Sequence, residues 1–360
     1  MTLQTEIDEA TQPSVDEIER VVALAVRAPS IHNTRPWRFL LTPDTLELWA
    51  DRRRQLAATD TDGWALLISC GGALYLAGLG LAAAGWRTTT ERLPDPTRPD
   101  LLARIRVDGR EPADESVRQQ ITAAEGRHSE RRPFRPDAVS AELLDTLCAA
   151  VGDPTLYAAV VMRPDDRLDL AVAMSWADDL ETKDPAYRAE LAKWVRPDAT
   201  AMGEGISPAD VPHAPLGQPR HADVPLRNFQ VGRPAEVQTS SGPSVDEHPA
   251  YVVVFSRDDD AATRLRAGEV YTQLSVDVQR LGLAASAMTQ ALDLPGVRNR
   301  VRTLMSWPDH PQMILRVGWP PAADTTPQTP RRPVAAVLTV TRPDPTRAGP
   351  SQSGARVNGD

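Results

Sequence analysis

Three short stretches concentrate the residues able to hold a charged or planar ligand. Residues 28–39 (APSIHNTRPWRF) form a polar bend in which Pro29 and Pro36 restrict the backbone. Ser30, His32 and Asn33 offer hydrogen-bonding groups there beside free backbone N–H groups. Such a bend can clasp the polar edge of a flat ligand, or it can be a capped connection with Trp37 in the core behind it. Residues 126–134 (GRHSERRPF) set Arg127, Ser129, Arg131 and Arg132 close together. That chemistry suits a phosphate, through charge-assisted hydrogen bonds, and it also suits an exposed basic turn. Arg331 and Arg332, between Pro330 and Pro333, carry the same two readings. The triplet Arg52, Arg53 and Arg54 has no hydroxyl or cap beside it and reads as a solvated turn.

The patterns of other chemistries are missing. The six histidines contain no HxH or HxxxH pair and neither Cys70 nor Cys148 has a metal-spaced partner, so no metal site is expected. There is no P-loop and no GxSxG elbow, and the many carboxylates show no spacing that singles out an acid/base pair. A net charge of -9 speaks against a nucleic-acid partner, which needs clustered cations. Two cysteines fit a reducing compartment, and the acidic N-terminal stretch has no apolar leader, so the expected location is cytoplasmic.

The elements that must position these stretches follow from periodicity. Ser14 caps a helix over residues 15–27, with Glu17 in capping-box position. Two short strands follow, at 37–41 and 46–50. Residues 64–86 are 23 consecutive uncharged positions, long enough to cross a bilayer, but five glycines and many alanines favour a helix buried in the protein, with no membrane partner. A strand is expected at 101–107, a helix from Ser140 to Val151, a strand at 157–162 and a helix over 166–194. Residues 195–247 are rich in Pro and Gly, as in a lid or inserted flap. Strands at 250–255, 313–319 and 334–340 and a helix at 267–291 complete the pattern. Gly72 and Gly85 echo Gly268 and Gly282, which hints at a duplicated α+β unit.

Residues 28–39 resemble the "PS…N.QPW" signature of flavin-dependent nitroreductases, and residues 127–131 resemble the "R.S.R" motif of the same family. The late helix, the strand reaching Trp319 and the Arg331-Arg332 pair are similar to its C-terminal pattern. The motif order is similar to the Acg-like group of actinobacteria, in which two degenerate copies fused in one chain imitate the family's dimer. The resemblance covers residues 16–340 and implies an α+β, nitroreductase-like fold, each copy a mixed or antiparallel sheet flanked by helices. It divides the chain into a disordered 1–14, a first half at 15–115, a second half at 116–340 with the lid-like insertion 195–247, and a disordered tail at 341–360. One FMN per chain is then expected. Arg127, Ser129, Arg131, Arg331 and Arg332 would take its phosphate and ribityl groups, and Pro29, Ser30, Ile31, His32 and Asn33 would face its ring. Arg35 stands where the family has Gln, and would favour a reduced, anionic flavin or an acidic substrate, or point outward.

What the resemblance implies about function is an oxidoreductase moving hydride from NAD(P)H through FMN to a small electron-poor acceptor: a nitroaromatic, a quinone or an enone. No residue is then expected to act as catalyst, because the chemistry belongs to the flavin. A lid closed over the flavin gives a second reading, FMN storage without turnover, and a pathway-specific flavin oxidase or desaturase is a third. The fused halves permit a monomer or a homodimer.

Overall fold

The computed structural model describes residues 12–208, 224, 227, 229, 248–321 and 329–341. The first helix, Val15–Ala25 (α1), begins at its predicted capping box. The Ser14 hydroxyl accepts from the Glu17 N–H at 3.2 Å, and the Glu17 carboxylate accepts from the Ser14 N–H at 2.8 Å. Trp37–Leu41 (β1) and Thr45–Ala50 (β2) form a hairpin, followed by Trp64–Ala83 (α2), Trp86–Arg92 (β3) and Leu101–Arg110 (β4). A second round opens with Glu115–Gly126 (α3), Ala141–Ala149 (α4) and Leu156–Val160 (β5). Three helices, Pro164–Lys183 (α5), Pro185–Trp194 (α6) and Ala199–Met202 (α7), precede Ala250–Ser256 (β6), Ala261–Arg280 (α8) and Ala284–Ala287 (β7). Gln290–Asp293 (α9), Pro295–Leu304 (α10), His310–Gly318 (β8) and Leu338–Val340 (β9) end the described chain.

The two rounds build one sheet twice. Strands lie in the order β3-β4-β2-β1 in the first sheet and β7-β8-β6-β5 in the second, antiparallel throughout, each strand in its counterpart's place. Helices α5 to α7 enter between β5 and β6, where the first round has only a tight turn. One strand breaks the match. β9 joins the first sheet parallel to β1, with Phe39 opposite Leu338 and Leu41 opposite Val340. The chain thus returns from the second round to close the first, and brings Pro330 against the 28–36 bend.

α2 is apolar all round because both its sides are covered. Leu66, Leu67 and Cys70 pack into the core under the first sheet, and Trp64, Ala65 and Ile68 into the core under the second. α8 divides in the same way, with Leu265 and Val276 on one side and Ala267, Val270 and Leu274 on the other. Among the described residues α2 is the one helix long and apolar enough to cross a membrane, and it is mostly buried.

Several expectations need correction. The helix expected over 166–194 is two, because Pro185 cannot donate to the preceding turn and the Asp184 carboxylate caps the new start at Ala186 N–H. The helix expected over 267–291 starts at Ala261 and stops at Arg280, where Gly282 takes a φ of +73° and the chain turns into β7. Gly85, φ +79°, likewise ends α2 before Trp86 and opens β3, a strand not expected at all. The strand expected over 334–340 is a helical turn at Val334–Ala336 and then β9. α3, α9 and α10 were also not anticipated. Most of 195–247, most of 1–14 and nearly all of 341–360 lie outside the described residues.

Candidate functional site

The bend between α1 and β1 is built from left-handed residues. His32, Asn33 and Arg35 have φ of 45°, 57° and 49°, a region that costs most side chains energy and that packing must impose. Ser30 secures it, its hydroxyl accepting from the Arg35 N–H at 3.1 Å, and Ile31 N–H donates to Ser69 Oγ on α2 at 3.3 Å. Pro29 packs against α2 at Gly72, and Trp37 is fully buried behind the bend. The stretch is therefore a core connection with Trp37 behind it, and its polar side chains are carried on that connection.

Asn33 is spanned by the residues around it. Its Nδ2 donates to the Gly205 carbonyl at 2.8 Å, and its Oδ1 accepts from Arg35 at 2.7 Å. Arg35 does not point outward. It is completely buried, and its guanidinium also donates to the carbonyls of Gly203 and Pro330. His32 is buried with no partner for either ring nitrogen among the described residues. Burial first, then the positive charges of Arg227 and Arg131, hold it well below its ordinary pKa, so it is neutral.

The second stretch runs alongside. The Arg127 guanidinium is buried and donates to the Arg27 carbonyl at 3.0 Å. Ser129 bridges to Ala285 on β7 and shares with Arg127 a small cavity, about 10 Å³, lined also by Tyr271, Ser275 and Ser286. Arg131 lies over the ring of Phe229 at 5.5 Å, and that ring meets His32 edge-on at 5.9 Å between centroids. The ends of the two stretches therefore converge, Arg127 at Arg27 and Arg131 near His32.

Arg331 completes the cluster. It donates to the carbonyls of Thr329 and Pro330, and the charges acting on it are all positive: Arg35, Arg127 and Arg27. Burial and then this repulsion push Arg331 down to about 8, while burial and then Arg332, opposed by Glu204, push Arg35 down to about 9. Nε of Arg27, Arg35, Arg127 and Arg331 and one terminal nitrogen of Arg332 are buried without a protein partner among the described residues. Glu204 acts on Arg35 and Arg332, but no carboxylate acts on Arg127 or Arg331, and buried charge without counter-charge is costly, so the cluster has the chemistry to receive an anion. Arg332 sits at the rim, donating to Ala336 at 2.9 Å and sensing Arg54 and Glu204.

Two contributors escaped the sequence reading. Arg27 looked like the last turn of an amphipathic helix. Arg54, read as part of a solvated turn, instead donates to the Thr34 carbonyl at 2.8 Å and pairs with Glu204, while Arg53 beside it is exposed. No local signal marks either, since their roles depend on what folds against them. A second buried group lies next to the site. Arg227 pairs with Asp293 and, at 3.3 Å, with Glu181, and donates to the Tyr187 hydroxyl at 3.0 Å. Among the described residues no group of His, Cys, Asp and Glu is arranged to hold a metal ion.

No protein-family model matches the chain. It is 35% identical over 332 residues to Rv3131 of Mycobacterium tuberculosis, provisionally named an NAD(P)H nitroreductase, covering 91% of this chain and 92% of that one. It is 32% identical over 342 residues to acg of the same organism, provisionally named in the same way, covering 93% and 98%. Among solved structures, the FMN-dependent nitroreductase NfnB from Mycobacterium smegmatis in complex with NADPH aligns with 63% of this chain and 100% of its own. That alignment has 15% identity and a TM-score of 0.38.

Proposed function

Since the chain belongs to the NAD(P)H nitroreductase family of Rv3131 and Acg, we propose that it is an oxidoreductase holding one FMN between its two rounds. The observation that carries this reading is the set of buried guanidinium nitrogens, on Arg27, Arg127 and Arg331, with no carboxylate among them. A phosphate dianion supplies the charge and the acceptors that they lack. Arg127, Arg331 and Arg27 would bind the phosphate, with Arg332 at the rim and Ser129 and Arg131 toward the ribityl chain. Pro29, Ser30, Ile31, His32 and Asn33 would face the ring, with neutral His32 offering a hydrogen bond without adding charge.

When bound, FMN supplies hydride chemistry, taking two electrons from NAD(P)H and passing them to an electron-poor acceptor such as a nitroaromatic, quinone or enone. The residues bind and orient. The halves 15–115 and 116–340 act as nitroreductase-like copies, the second lending β9 to the sheet of the first, which supports one site per chain and a monomer that needs no second copy. Free Cys70 and Cys148 fit a cytoplasmic setting.

The purified protein is expected to be yellow and to oxidise NAD(P)H faster when a quinone or nitrofuran is added. Flavin-replete protein with no acceptor-dependent turnover would refute the enzyme. A second reading, FMN storage, is favoured by Phe229 resting against His32 and Arg131 with Arg227 anchored beneath. It predicts bound FMN that dithionite reduces and NAD(P)H does not.

A further inference from the structure

We propose that Arg35 is a positioning residue that docks the 203–205 turn and the 330–332 arm onto the bend, and so sets Arg331 in the anion receptor. The inference rests on the phosphate reading above.

Arg35 is the most fully buried arginine of the cluster, and its donors tie its own bend, at Asn33, to two segments remote in sequence: Gly203 after α7 and Pro330 before β9. The link to the turn is doubled, since Asn33 donates to Gly205 and the Gly205 N–H donates back to the Asn33 carbonyl at 3.3 Å. Gly203 has a φ of +68° and lies so close to the arm that a Cβ there would stand 2.5 Å from the Arg331 carbonyl oxygen. The arm is thus gripped between Gly203 and Arg35.

A planar guanidinium is suited to this, because its fork can reach separate carbonyls at fixed angles. An amide has one NH₂ group and cannot span them. With three of its five N–H donors and both terminal nitrogens engaged by the protein, Arg35 ties segments together, which separates its role from that of Arg127. The docking also works against charge, since Arg35 repels the Arg331 it holds in place. An anion in the receptor reverses that sign, so docking of the arm and binding of phosphate reinforce each other.

The test compares wild type with Arg35→Gln, Arg35→Lys and Gly203→Ala. Trypsin can cut between Arg331 and Arg332, and cutting after exposed Arg53 reports general loosening. In cofactor-free protein the Gln variant is expected to lose the arm bond about tenfold faster, relative to the Arg53 bond, with the Lys variant intermediate. Gly203→Ala, which leaves Arg35 untouched, should speed the same cut. Paired titrations then use FMN and riboflavin. FMN affinity should fall about tenfold or more in the Gln variant, whereas riboflavin, which lacks the phosphate, should bind as in wild type. Equal cleavage ratios in wild type and the Gln variant would overturn the docking role. An equal fall for both flavins would overturn positioning in favour of ring contact. Failure of the phosphate reading shows separately, as wild type that binds neither FMN nor inorganic phosphate, and the digestion still decides the docking.

Discussion

Gly71 and Gly268 meet back to back where α2 crosses α8. A methyl group on Gly71 would stand 1.9 Å from the Leu265 carbonyl oxygen, and one on Gly268 would stand 2.0 Å from the Ile68 carbonyl oxygen. Each glycine abuts the carbonyl three residues before the other, so the contact is reciprocal, as a two-fold relation between the rounds requires. Each helix then ends at a left-handed glycine, Gly85 and Gly282. The echo in the sequence is therefore Gly71 with Gly268, and Gly72 instead faces Thr272 and Pro29.

Gly268→Ala should destabilise the protein by about 1–3 kcal/mol, because the obstacle is backbone and the helices must separate. Gly78→Ala, on the same helix as Gly71 but with nothing within 4 Å, should stabilise by up to about 1 kcal/mol. Urea denaturation of the pair measures the difference, and equal midpoints would deny the close crossing.

Arg127→Ala and Arg331→Ala should each remove a charge-assisted phosphate contact, on the order of 1.5–3 kcal/mol, or about ten- to a hundredfold in FMN affinity. Fluorescence titration reads this directly. An unchanged affinity in either variant would remove that residue from the receptor.

Inorganic phosphate or sulfate should raise the melting temperature of cofactor-free protein, since an anion that binds only the folded state stabilises it by about 2.7 kcal/mol at a hundredfold excess over its Kd. The increment should shrink in Arg331→Ala. An equal shift with chloride at matched ionic strength would mark it as general salt screening.

Arg227→Met should destabilise by about 3–5 kcal/mol near neutral pH, because it strands two buried carboxylates. Burial, opposed by Arg227, pushes Glu181 up to about 7 and raises Asp293 as well. A raised carboxyl binds more protons folded than unfolded, so its contribution is greatest in acid and falls as pH rises through the folded value. The deficit of the variant should therefore narrow toward pH 5 in denaturation curves, and a pH-independent deficit would argue that packing alone was lost.

The two histidines beside the site should titrate in opposite senses. Its pairing with the Glu130 carboxylate raises His128 above its ordinary value, so its stabilisation is present below the unfolded pKa and lost as pH rises through the folded one. His32 is depressed, so stability is lost as pH falls toward its unfolded value and beyond. NMR of the imidazole carbons should place one midpoint above 6.5 and the other below; a shared midpoint would contradict the burial of His32.

Taken alone, the amino-acid order settled what short-range physics decides. Ser14 and Glu17 announced the start of α1, the run at 250–255 its buried strand, and the uncharged glycine-rich stretch a helix covered on both sides. The bend at 28–36 and the basic runs were legible as chemistry because proline, hydroxyl, amide and guanidinium groups stand together. β3 was missed because its threonines lack an apolar stripe, and it lies at a sheet edge where only one neighbour, β4, defines it. Only the tertiary structure decided which arginines meet. Arg35 reaches Pro330 across nearly three hundred residues because β9 returns to lie beside β1, and Arg54 turns inward because Glu204 is there to receive it. Like charges do not gather through local preference, since they repel. Two packed cores and a crossing of glycines hold them together, and no stretch of neighbouring residues contains that information.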